Sequence, residues 1–297
     1  MAKMTTTAAA NEEISLYTLF SLLIKKWYIL LGFATTFGIA AIVWAISQPN
    51  YYQATVLMMP AESSQSVMGN LGGLASVASI AGVSLPDDAK NKSKMAVELI
   101  KSYRFLSEFI EENDLLVPIM AANGWDMSAN KLLINEDIYD ENSNKWVRKV
   151  NAPFAEKPSL QEAHKALLSL LEVEQDPSTK FYKLSIEFFS PEISAQWANA
   201  LVAKLNATMR SIDKKESAES IAYLKRLISD TNVTELRKVF SVLMEEEVKS
   251  QMLAELKSEY AMKVIDPAIA PELKSKPKRL LIAIIVAFLG GLLGVVV

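Results

Sequence analysis

The chain has 297 residues, of which 51% are hydrophobic and 22% charged, with a formal net charge of −3 and a pI near 5.5. That balance excludes a nucleic-acid footprint over the whole chain, and the lack of cysteine excludes disulfides, thiolate metal sites and cysteine nucleophiles. A mean hydropathy of +0.16 beside so many charges requires the apolar residues to be gathered into a few segments.

They are gathered near the two ends. Residues 1–26 are a polar-to-mixed tail, and Trp27 to Ser47 then runs 21 residues without a charge. Leu280 to Val297 is charge-free to the last residue of the sequence. A helix rises about 1.5 Å per residue, so roughly 20 residues cross a hydrocarbon core of about 30 Å. Both segments are therefore expected to span a membrane, the second narrowly. The first run is longer than the roughly 7–15-residue core of a secretory leader, and Pro49 follows the small residues Ala45 and Ser47 closely, so an anchor is expected.

Lys25 and Lys26 precede the first span, and no positive charge lies in Gln48 to Gln53 after it. The positive-inside rule places both termini in the cytoplasm and residues 48–279 outside, with the second span at 280–297. Lys274, Lys276, Lys278 and Arg279 at the outer end of the second span run against that rule. They are read as snorkelling side chains or contacts to anionic lipid. Within the spans, Ala34 with Gly38, and Gly290, Gly291 and Gly294, give small-xxx-small faces. Such faces can pair the two spans, join subunits, or be simply tolerated.

Tyr51 to Met59, bounded by prolines, is expected to be a strand. Ser63 to Gly82 is Gly-, Ser- and Ala-rich and reads as a loop. Apolar spacing from Lys94 to Glu112 predicts one helix, and polar turns follow around Asn123, Gly124 and Asn142. Ser159 with Glu162 forms a capping-box pattern ahead of a helix to Leu171. The alternation from Phe181 to Phe188 predicts a strand. Pro191 then opens a helix whose periodicity hardly stops before Ser229, more than about 50 Å at the helical rise. Asp230-Thr231-Asn232 breaks it, and a second helix restarts near Thr234, giving an extended hairpin over 191–258. Its apolar residues, among them Leu224, Ile228, Leu236, Val239, Phe240 and Leu243, form a stripe wider than one partner helix needs, which points to packing between subunits. A short strand at Tyr260 to Ile265 leads into the proline-rich stretch 266–279 with Pro267, Pro271 and Pro277. The fold class is therefore α+β: a base of 48–189 and 259–271, a long helical hairpin, and two flanking membrane helices.

No P-loop sequence occurs, and no metal-ligand spacing of His, Asp and Glu is seen. The lone His164 lies in a predicted helix. Glu111-Glu112 and Glu245-Glu246-Glu247 are consecutive on helices and read as solvated faces. Asn206-Ala-Thr208 and Asn232-Val-Thr234 match glycosylation triplets that also occur by chance. The residues therefore predict no enzyme, catalytic site or cofactor.

The segment Asn232 to Arg279, with its proline-rich entry and basic end, and the opening ISLYTLFSLLIKKWYIL, Ile14 to Leu30, resemble the bacterial polysaccharide co-polymerases, the chain-length determinants of lipopolysaccharide O-antigen. Pro267, Pro271, Pro277, Gly290, Gly291 and Gly294 match the family's pattern, and the likeness is weaker from Ser63 to Pro177. The resemblance implies a periplasmic α+β base, a long helix and a ring-like homo-oligomer in the inner membrane. It also implies a partner polymerase, contact with the growing polysaccharide, no catalytic residues and, without a P-loop, no kinase domain. A periplasmic adaptor of a transport system is the alternative reading, although no lipoyl-like motif is found. A two-span sensor is a third, although neither terminus has room for a signalling module.

Overall fold

The computed structural model describes residues 27–61, 88–256 and 259–296. The tail with Lys25 and Lys26, the Ser63 to Gly82 segment and Val297 lie outside them. The chain forms two compact units, residues 50–275 and the pair of terminal segments ending at Pro49 and beginning at Lys276.

In the larger unit, β1 (Tyr52–Pro60) is the second-to-last strand of an antiparallel sheet of four. The others are β6 (Leu171–Gln175), β7 (Tyr182–Phe188) and β8 (Met262–Asp266), in the order β6-β7-β1-β8. Tyr52 pairs with Phe188 and Met58 with Tyr182, while the β1–β8 register slips at Leu57/Met58. Tyr52, Ala54, Val56 and Met58 alternate into the core, as a half-covered strand requires. On that face pack Ile100, Phe105, Phe109, Leu167, Leu201 and Leu205, all 0–1% exposed.

The single helix expected over Lys94 to Glu112 is two helices. α2 (Asp88–Lys101) stops where Ser102 takes an extended conformation and caps α3 (Tyr103–Glu112), its hydroxyl accepting from the Phe105 N–H. A serine between two apolar stripes offers the backbone a local alternative to the helical bond. His164 reaches this joint: its Nε2 lies 3.2 Å from the Lys101 carbonyl oxygen, and its ring stands edge-on to Tyr103.

Gly124, expected in a turn, lies inside a strand. A short α4 (Leu116–Ala121) leads into the hairpin β2 (Ala122–Asp126) and β3 (Lys131–Ile134), followed by the small hairpin β4 (Tyr139–Asp140) and β5 (Lys145–Trp146). One turn recurs here and between β6 and β7. Asp126, Asp140 and Asp176 each accept the backbone N–H two residues on, and Asn130, Asn144 and Lys180, four residues on, have φ of 48°, 52° and 62°.

The capping box at Ser159 is present and opens α5 (Leu160–Leu170). Arg148 clamps the loop before it. Its guanidinium donates twice to Glu162, at 2.8 and 3.0 Å, and to the carbonyls of Ala155 and Glu156. The hydrogen bond from Arg148 holds the Glu162 carboxyl down at about 2. A depressed carboxylate stabilises the fold fully above its ordinary value and ceases to do so as pH falls through the folded one. Glu162→Gln should therefore lower stability at pH 7 by on the order of 2 kcal/mol. The gap from wild type should close as pH drops from about 4.5 towards 2. Thermal unfolding of both proteins across that range measures it; a gap independent of pH would remove the ion pair as its cause.

Candidate functional site

Two features bring together residues singled out in the sequence: the long hairpin and the pair of apolar helices.

The hairpin consists of α6 (Pro191–Asp230) and α7 (Thr234–Leu256). Ser190 caps α6 by accepting from the Ile193 N–H, and Pro191 occupies the first turn, where its missing N–H costs nothing. The first half of α6 is a core helix, burying Trp197, Ala198, Leu201, Val202, Leu205 and Met209. Beyond Ser217 no residue of α6 is fully buried, so the last 13 residues, about 20 Å of helix, are covered on one side only.

The outer part of the hairpin separates the expected packing residues into two groups. Leu224, Ile228 and Phe240 are half-buried in the seam between α6 and α7. Leu236, Val239 and Leu243 are 48%, 52% and 44% exposed, with Val242 beside them at 51%. The α7 residues turned towards α6 are Phe240, Met244, Glu247 and Gln251, at helical spacing. The exposed group therefore forms a second apolar flank, which one partner helix leaves uncovered.

Two asparagines seven residues apart on α6 hold the returning chain. Asn206, 4% exposed, accepts the N–H groups of Ala261 and Met262 at 2.8 and 2.9 Å and donates to the Met262 carbonyl at 2.8 Å. Asn199 accepts from the Ala268 N–H and donates to the Ala268 carbonyl. With Glu259 accepting from the Val264 N–H, side chains occupy the outer edge of β8 as a neighbouring strand would. An unpaired strand edge invites association, and this blunts it. The Asn206 amide is buried and bonded through both its oxygen and its nitrogen to the returning chain, which leaves no accessible acceptor for a glycan there. The sequence did carry a signal: asparagine at i and i+7 within the apolar stripe Ala198, Val202, Leu205, Met209.

Nearby, Asp213 accepts from Lys92 at 2.7 Å and from the Tyr260 hydroxyl at 2.6 Å, joining α2, α6 and the segment before β8. Burial, then the hydrogen bond to Asp213, pushes Tyr260 up to about 12. Burial alone would lower Lys92, but Asp213 and Tyr260 raise it overall. Near neutral pH Tyr260 is therefore a neutral donor and Lys92 a cation, and the three side chains act as a structural tie.

In the smaller unit, α1 (Trp27–Ser47) lies along α8 (Arg279–Val296). The contacts descend on one helix as they ascend on the other, so the pair is antiparallel. A Cβ on Gly291 would sit 3.7 Å from Ala34, one on Gly38 would sit 3.3 Å from Ala287, and one on Gly290 only 2.6 Å from the Phe37 Cβ. Ala34, Gly38, Gly290 and Gly291 thus lie in one seam between the spans of a single chain. Arg279 donates its Nε to the Ala45 carbonyl at 3.0 Å, placing a cation at the negative end of α1. Lys274 donates to Asn50 in the larger unit. Part of the basic cluster therefore has a protein partner. By length and composition α1 can cross a membrane, its best window being Leu30–Ser47. The apolar stretch of α8 among the described residues, Arg279–Leu293, is shorter than a typical span, narrower support than the sequence led us to expect.

Residues 12–113 match the family described as Wzz, chain length determinant protein. That N-terminal segment, about a third of the chain, holds α1, β1, α2 and α3. The matched stretch includes Ile14 to Leu30 and continues through 63–113, where the resemblance read from the sequence is weaker, and it stops short of Asn232 to Arg279. No curated protein matches the chain. Among solved structures it is similar to a full-length bacterial polysaccharide co-polymerase, at 12% identity, 94% of either chain and a TM-score of 0.35. It is also similar to a fragment of WzzB, a polysaccharide co-polymerase from Salmonella Typhimurium, at 11% identity, 76% of this chain, all of that one and a TM-score of 0.31. Likenesses this distant carry no weight of their own.

Proposed function

We propose that this protein sets the modal length of a surface polysaccharide, O-antigen of lipopolysaccharide in the first instance, without catalysing any step itself. The match of residues 12–113 to the chain length determinant family carries the reading. In this reading α1 and α8 both cross the inner membrane, with both termini in the cytoplasm and residues 48–279 in the periplasm. The protein forms a ring of identical subunits beside the polymerase and contacts the growing chain. The uncovered flank of Leu236, Val239, Val242 and Leu243 supports assembly, since a solvent-facing apolar stripe on a projecting hairpin is stabilised by a second copy. Gly290, Gly291, Gly294, Ala34 and Gly38 keep the membrane helices packed, and Pro267, Pro271 and Pro277 hold the connection to α8 extended.

Deleting the gene should leave polymer on a lipopolysaccharide gel but abolish its modal band, and the wild-type gene should restore it. A Leu236→Lys/Val239→Lys gene should fail to restore it, and its product should be smaller by light scattering in detergent. Loss of all polymer, or an unchanged modal band, would sink the reading.

A further inference from the structure

Resting on that reading, we propose that a cleft between α2 and the β6–β7 margin of the sheet is a binding subsite for one sugar unit of the polymer. The cleft has a volume of about 240 Å³ and is lined by Lys94, Val97, Glu98, Val173, Gln175 and Tyr182. That is below the ~300–1,000 Å³ of sites for drug-sized ligands, which suits a single ring rather than an extended segment.

The lining divides into two chemistries. Val97 and Val173 offer apolar surface, with the core residue Tyr182, 6% exposed, at the floor, which matches the C–H face of a pyranose. Lys94, Glu98 and Gln175 offer donors and acceptors, which match hydroxyl and acetamido groups. Gln175 stands opposite Tyr182 in the β6–β7 register, and its Nε2 donates to the Lys180 carbonyl at 3.2 Å, leaving its Oε1 as an acceptor. Lys94 and Glu98 are one turn apart on α2, yet among the described residues neither takes part in an ion pair. One cation and one anion make the cleft neutral. That disfavours a phosphate or carboxylate, which the glutamate would repel, and favours a polyhydroxylated, uncharged ring.

The test uses the full-length protein in detergent and, as probe, short oligosaccharides released by mild acid from the surface polysaccharide of the same cells. Saturation-transfer NMR should give a saturable signal with wild type. Affinity should be at least about tenfold weaker with Lys94→Ala/Glu98→Ala, because each variant removes a hydrogen-bonding charge. Glu235→Ala, on α7 and outside the cleft, should bind as wild type does. Circular dichroism and light scattering establish that the double variant is folded and assembled as before. No saturable signal with wild type, or equal affinity in the double variant, overturns the subsite. The deletion gel separates this failure from failure of the functional reading: a modal band lost on deletion, with no binding in the cleft, removes the subsite alone.

Discussion

Asn206→Ala is expected to lower the stability of the larger unit by about 3–5 kcal/mol, among the largest effects of any single truncation here. The substitution removes few atoms, so cavity formation contributes little. Its effect comes from three backbone groups, the N–H of Ala261 and the N–H and C=O of Met262, which lose their partner at a site 4% exposed. Each buried polar group left unmade costs roughly 1–3 kcal/mol, and water reaching the sheet edge offsets part of that. Asn199→Ala should cost less, because Asn199 is half-buried and holds only Ala268. Thermal unfolding in detergent ranks the two variants. Hydrogen exchange should also show faster exchange at Ala261 and Met262 in Asn206→Ala. A stability within about 1 kcal/mol of wild type would mean the return strand is held by its β1 pairing alone.

Gly290→Leu should separate the two apolar helices. A Cβ at this position would lie 2.6 Å from the Phe37 Cβ, 2.9 Å from its Cγ and 3.0 Å from its Cδ2. The nearest of these atoms are at the root of the side chain, so a rotamer change cannot clear them and a helix has to move. The cysteine-free chain permits a direct measurement. Ala34→Cys with Gly291→Cys places two Cβ atoms about 3.7 Å apart, within the usual 3.5–4.5 Å of a disulfide. Oxidation should therefore cross-link them within one chain. Adding Gly290→Leu or Gly290→Ala should reduce the yield, several-fold for leucine, and adding Phe37→Gly to Gly290→Ala, which removes the clashing Cβ itself, should restore it. Gly32→Leu, where nothing lies within 4 Å, should leave it unchanged. Undiminished cross-linking in Gly290→Leu would show that the seam is not where these glycines matter. If the modal band is lost together with the cross-link, the seam is a working part of length control.

Much of the architecture was legible because it depends on local rules. The capping box of Ser159 and Glu162, the start of α6 at Ser190-Pro191, its end near Asp230 and the restart at Thr234 each rest on a few adjacent residues, and each is present. The alternation of β1 and β7 likewise reports a strand with one covered face. Charge-free runs at the two ends stand out for the same reason: hydropathy is a property of the segment alone.

What local rules could not decide is who meets whom. The apolar stripe of the hairpin gave one list of residues. Only packing assigned Leu224, Ile228 and Phe240 to the seam and left Leu236, Val239 and Leu243 uncovered. The break at Ser102 was missed because apolar spacing continues across it, while a capping hydroxyl and the contact with α5 favour two helices over one. Asn206 resembled a chance triplet because its three partners lie 55 and 56 residues away. The opening pair of apolar runs is the clearest case. The sequence determined that both are apolar and free of charge within the run, since exposing either to water is costly whatever surrounds it. The tertiary structure decided that Ala34, Gly38, Gly290 and Gly291 face each other within one chain, because close approach of two backbones requires small residues at matched heights on both helices.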